Sequence, residues 1–134
     1  MTMTRGPARS QPGADVARLA QAGIDWDAVV VSRYYALQAL ERLARPGSVA
    51  VDPRTAQPVL HFFVPAGTTD GWDLEQTTAF STATYVMLPA ATREAQPGAY
   101  WLLPPVGGFI QHTETAALQL ALEAVGLRAG REAS

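Results

Sequence analysis

Cysteine, lysine and asparagine are absent from this 134-residue chain, and charged residues make up only 16% of it. The lack of cysteine excludes disulfides, thiolate metal sites and a cysteine nucleophile in one step, and is compatible with a reducing compartment. With no lysine, all ten cationic side chains are arginine, and with alanine abundant this reads as the bias of a GC-rich, bacterial genome. Formal net charge is −2, so there is no global positive field to gather nucleic acid. No window approaches the roughly 18 apolar residues that a membrane span needs, and the opening MTMTRGPARSQPG has no apolar leader core. The expectation is a soluble, unexported, cytoplasmic protein with no membrane partner. Also missing are G-x-G-x-x-G, G-x-x-x-x-G-K-S/T, G-x-S-x-G and H-E-x-x-H. Ser10, Ser32, Ser48, Ser81 and Ser134 have no nearby histidine and carboxylate from which to build a triad.

What is present is an apolar chain, 48% hydrophobic, of a length suited to one packed core. Residues 1–13 mix proline, glycine, serine, threonine and arginine without periodicity and are expected to be a disordered tail. A single domain should span 14–127, with 128–134 fraying. Val16, Leu19 and Ala20 recur at helical spacing behind Asp15, with Gly23 as a stop, which predicts a first short helix. The β-branched run WDAVVVS (26–32) predicts a strand buried on both faces. Ser32 should cap the helix RYYALQALERLA, with Tyr34, Leu37, Leu40 and Leu43 on its apolar stripe.

Strands are expected at 49–52 and 59–64, joined by the turn DPRTAQP, then at 84–88 and around 100–103. Thr113 should cap a last helix, with Glu114 in its first turn. The fold class is therefore α+β: a short, largely antiparallel sheet of about five strands, covered on one face by two or three helices.

His61 is the first candidate for chemistry. It lies mid-strand in LHFF, sharing one face with Phe63 while Leu60 and Phe62 take the other, and it suits either a half-covered sheet face or a phosphate contact. Asp70 and Asp73 flank Gly71 and Trp72 in a polar loop, an arrangement that serves an Asx-type turn or a ligand site. His112 precedes a helix start, where an imidazole helps fill the capping region. Trp72, Tyr85, Tyr100 and Trp101 crowd the second half and read as core or as anchors of a recognition surface or pocket. The arginines are scattered, which suits solvation better than a nucleic-acid stripe.

The pieces LHFFVPAG, GWDL, TYVMLPAA and PGAYWLLPP stand in the order of motifs in the N-terminal domain of bifunctional primase-polymerases of the archaeo-eukaryotic primase type, which residues 59–105 resemble. The resemblance implies that His61 matches a phosphate-contacting histidine and Asp73 a metal-ligating carboxylate, with Arg54 beside them facing phosphate. The paired aspartates of the family's first motif have no counterpart, since SVAVDPR offers only Asp52, separated from His61 by only eight residues. Two-metal nucleotidyl transfer needs several carboxylates around ions about 4 Å apart, so the resemblance implies a half-fold whose catalysis is lost. The longer stretch from DWDAVVV to YWLLPP also resembles small actinobacterial proteins.

Three functions follow as expectations. The first is a non-catalytic regulatory module acting through protein contacts, including a homodimer, with no catalytic residue, no metal and no cofactor. The alternative is a nucleotide or nucleic-acid binder using His61, Asp73 and Arg54, with Mg²⁺ as its only cofactor. A third is a small-molecule enzyme with His61 as acid or base.

Overall fold

The computed structural model describes residues 17–53 and 56–129. The expected tail over 1–13, Arg54 and residues 130–134 lie outside them. In chain order the elements are β1 (Arg18–Gln21), β2 (Trp26–Ser32), α1 (Arg33–Leu40), β3 (Val49–Asp52), β4 (Val59–Pro65), β5 (Thr77–Phe80), β6 (Tyr85–Leu88), β7 (Tyr100–Leu103) and α2 (Thr115–Ala124). Five strands form an antiparallel sheet in the order β5-β2-β4-β3-β7, and β1 pairs with β6 in a separate two-stranded ribbon. The class is α+β, and no helix among the described residues is long and apolar enough to cross a membrane.

The centre of the sheet follows from composition. The β-branched run of β2 pairs on both sides, with Val29 opposite Phe62 of β4 and opposite Ala79 of β5. Residues of both parities are buried, so neither edge of β2 nor either of its faces is left to water over most of its length. On one face Val29, Val31, Val49, Val51, Leu60, Phe62 and Val64 meet Ala36 and Ala39 of α1 and Leu118, Ala121 and Leu122 of α2. The opposite face is not bare as expected: the ribbon lays Ala22, Val86 and Leu88 over Ala28, Ala50, Phe63 and Trp101.

The predicted first helix is a strand. Its side chains alternate, Leu19 exposed while Ala20 packs inward, and the register Arg18 opposite Leu88 to Gln21 opposite Tyr85 supplies the period that the isolated segment does not show. Gly23 does stop the element, with φ of +89° and the Thr82 backbone so near that a Cβ would collide. An eight-residue α1 replaces the expected twelve-residue helix, because the Arg42 and Leu43 N–H groups donate to Ala39 and Leu40 carbonyls in tighter turns.

The apolar stripe expected on α1 is half formed. Leu40 and Leu43 pack against the core beside Tyr35 and the buried Ala36 and Ala39, while Tyr34 and Leu37 are 72% and 42% exposed. Neither expected hydroxyl cap forms. Ser32 makes no cap bond, and the first N–H of α1, on Arg33, donates instead to the Pro58 carbonyl at 2.9 Å. Thr113 precedes the true N-cap, Glu114, and works as a clasp: its N–H donates to Phe63 O at 2.7 Å and its Oγ1 accepts the Gly47 N–H at 2.8 Å. Gly47 has to be glycine, since a Cβ there would strike the Gln111 carbonyl. Backbone pairing continues to Leu74–Ala129, two residues past the expected boundary, with Glu75 N–H donating to Arg128 O at 2.8 Å.

Candidate functional site

His61 sits at the middle of β4 with Val30 and Ala50 as its cross-strand partners. Its neighbours Leu60 and Phe62 belong to the helical-face core and Phe63 to the ribbon-face core, so alternation turns His61 toward the ribbon side. It is half-buried there. Asp52 pairs with Val59, two residues from His61, and therefore shares that face one diagonal step away. The register, not the sequence spacing, brings Asp52 onto the same face as His61.

Asp73 is placed elsewhere. Trp72 and Leu74 on either side of it pack into the helical-face core, so the segment carrying Asp73 belongs to the face opposite His61. Arg54 is not among the described residues, and no group of three histidine, aspartate or glutamate side chains able to hold a metal is found among those that are.

The four aromatic candidates are dispersed. Trp101 is 1% exposed and stacks obliquely on Phe63, with centroids 5.8 Å apart, while Trp26 meets the other side of Phe63 edge-on at 5.0 Å. Tyr100 and Trp72 pack on the helical-face core, and the Trp72 Nε1–H donates to Thr77 Oγ1 at 2.9 Å. Only Tyr85, 58% exposed on β6, remains a surface anchor.

A buried carboxylate that sequence reasoning passed over organises the loop after β4. Asp27 is fully buried, and its Oδ2 accepts the Gly67 N–H at 3.0 Å, the Thr69 N–H at 3.3 Å and the Thr69 hydroxyl at 2.6 Å. Thr68 Oγ1–H donates to Pro65 O at 2.6 Å, so in the 2.6 Å contact between Thr68 and Thr115 it is Thr115 that donates. The loop is thereby tied to both β2 and the start of α2. The only sequence signal was an aspartate interrupting an apolar strand.

A further cleft involves neither His61 and Asp73 nor any of the four aromatic candidates. A cleft of about 670 Å³ is lined by Arg18, Leu19, Ala20 and Gln21 of β1, by Ile24, Asp25 and Trp26, and by Phe109, Ile110 and His112. His112 lies 2.9 Å from the Asp25 carbonyl through Nε2; a carbonyl only accepts, so Nε2 carries the proton and pins the two walls together. Phe109 is thrust outward by a two-glycine turn, in which Val106 and Phe109 exchange N–H···O bonds of 2.9 and 3.0 Å around Gly107 and Gly108, at φ +61° and +83°. Leu19, Ile24 and Phe109 are 61%, 64% and 51% exposed at its rim, with Val106 across the turn at 65%. No protein family, curated protein or solved structure gives a significant match to the chain.

Proposed function

We propose that this chain is a non-catalytic binding or regulatory module that works through protein contacts in the cytoplasm, a homodimer being one form such contacts take. The observation that carries this reading is the concentration of exposed apolar side chains, Leu19, Ile24, Val106 and Phe109, around one cleft. Large apolar groups gathered at one place on a surface mark a docking site more often than a bare solvent face. The order of motifs over 59–105 supports a primase-polymerase-like half-fold as its origin, and the absence of a counterpart to that family's paired aspartates supports the loss of its catalysis.

Light scattering together with hydrophobic-dye fluorescence tests the reading on the full chain. A mass that falls from dimer to monomer in a Leu19→Ser/Phe109→Ser variant supports it, as does a monomer whose dye binding is lost in that variant. A monomer that binds no dye at all sinks it.

A second reading, a nucleotide binder, draws support from His61 and Asp52 sharing the half-covered part of the sheet face. Thermal stabilisation by a dNTP with Mg²⁺ that disappears in His61→Ala would favour it; an unchanged melting curve at millimolar ligand would end it.

A further inference from the structure

We propose that the cleft beside β1 receives an extended peptide segment, which adds to the ribbon as a third strand and presents one carboxylate to Arg18. The inference rests on the protein-contact reading above and names the chemistry of the partner. Its first support is the way β1 lines the cleft. Successive side chains of a strand point to opposite faces, so a cleft bordered by all four residues of β1 runs along the strand's edge.

The phase of the ladder says which main-chain groups meet that edge. Ala22 N–H donates to Thr84 O at 2.8 Å, continuing the register in which Ala20 faces Val86 and Arg18 faces Leu88. Alternate residues of an antiparallel pair turn their amides toward the partner strand. Leu19 and Gln21 therefore turn theirs away from β6, and among the described residues neither has a backbone partner outside the ribbon. An unpaired strand edge of this kind is a template for strand addition, where main-chain bonds provide affinity and side-chain pockets provide choice.

Arg18 supplies the choice. Its Nε is buried and has no hydrogen-bond partner, although the side chain lines the cleft. A buried cationic donor left unmatched is costly, and a carboxylate is the acceptor that matches it best. Asp25 also lines the cleft, which disfavours a polyanion and leaves room for a single acidic group. A second copy of β1 is a poor occupant on the same ground: its sequence RLAQ has no carboxylate and would bring another guanidinium to the edge.

Fluorescence anisotropy of the full chain with labelled, end-blocked heptapeptides tests the proposal. The probes alternate valine and threonine around a central glutamate, glutamine or lysine. The glutamate peptide should bind on the order of tenfold more tightly than the glutamine peptide, the lysine peptide least, the step corresponding to one charge-assisted hydrogen bond. Arg18→Gln should erase the preference but keep the residual affinity, and Arg18→Lys should retain part of it, with melting curves confirming that both variants fold. Bound glutamate peptide should also slow hydrogen exchange at the Leu19 and Gln21 amides.

Equal binding of all three peptides overturns the carboxylate and leaves the protein-contact reading intact. Binding without protection of Leu19 and Gln21 overturns strand addition. A concentration-dependent dimer that protects those amides and excludes the peptides shows a second copy to be the occupant, and overturns the proposal. Absence of peptide binding, dimer and dye binding together removes both readings.

Discussion

The two faces of the five-stranded sheet are built from different materials. On the helical face the core is aliphatic and continuous, with α1 and α2 seated through alanine and leucine on a field of valine, leucine and Phe62. Across the sheet the core is aromatic and partial: Trp26, Phe63 and Trp101 form one stack beneath a two-stranded ribbon, and His61 and Asp52 extend past it half-buried. Helices satisfy their own backbone groups, so the elements covering that face present no strand edge of their own. A ribbon of two strands does, and among the described residues the outer edge of β1 lies beside a cleft. The difference teaches where to look for function: on the less finished face.

The comparison is tested hardest by truncating a phenylalanine on each side. Phe62→Ala and Phe63→Ala should each cost about 3–5 kcal/mol in urea unfolding, since each empties a fully buried ring site. A much smaller loss for Phe63 would show that the aromatic stack is a satellite of the helical core rather than its equal. The Asp27→Ala substitution comes next, at about 2–4 kcal/mol, because it leaves the Gly67 and Thr69 N–H groups and the Thr69 hydroxyl without their acceptor. Hydrogen exchange at Gly67 and Thr69 should accelerate in that variant while the amides of β3 stay protected.

Overpacking the helical face is the third step. Ala39→Leu should lose about 1–3 kcal/mol, since Ala39 is fully buried in the helical-face core and a larger side chain there must displace its neighbours. Smallest of all is Tyr34→Ala, within about 0.5 kcal/mol of the parent despite the loss of an aromatic ring. That ring is 72% exposed and meets Tyr35 edge-on, at 5.1 Å. A large loss at Tyr34 would mean that the stripe read from the sequence is the buried one after all.

Legibility followed the strength of local signals. The runs WDAVVVS and VLHFFVP are legible as strands because β-branched and aromatic residues dominate them, and Pro58 and Pro65 frame the second. In the segment RLAQ no such signal exists; its spacing suits a helix, and only pairing with β6 imposes the two-residue period. TTAF, which forms β5, was missed for the same reason: it is a four-residue edge strand that takes its conformation from β2.

Candidate sites were legible only one residue at a time. His61 was correctly read as sharing a face with Phe63. The placement of Asp52 one diagonal step from it depends on register, which a linear pattern does not encode. Arg18 and Phe109 lie ninety-one positions apart, and nothing local to either announces a shared cleft.

From the sequence by itself came the α+β class, the central strands and the lack of a thiol or phosphate-loop chemistry, because those depend on which residues occur and on how they repeat over a few positions. Tertiary structure alone decided that β1 is a strand, that Asp27 holds a loop, and that Arg18 and the rest of β1 line one cleft with Phe109. Strand pairing and burial are set by partners distant in the chain, and the energy that selects them is shared between both partners.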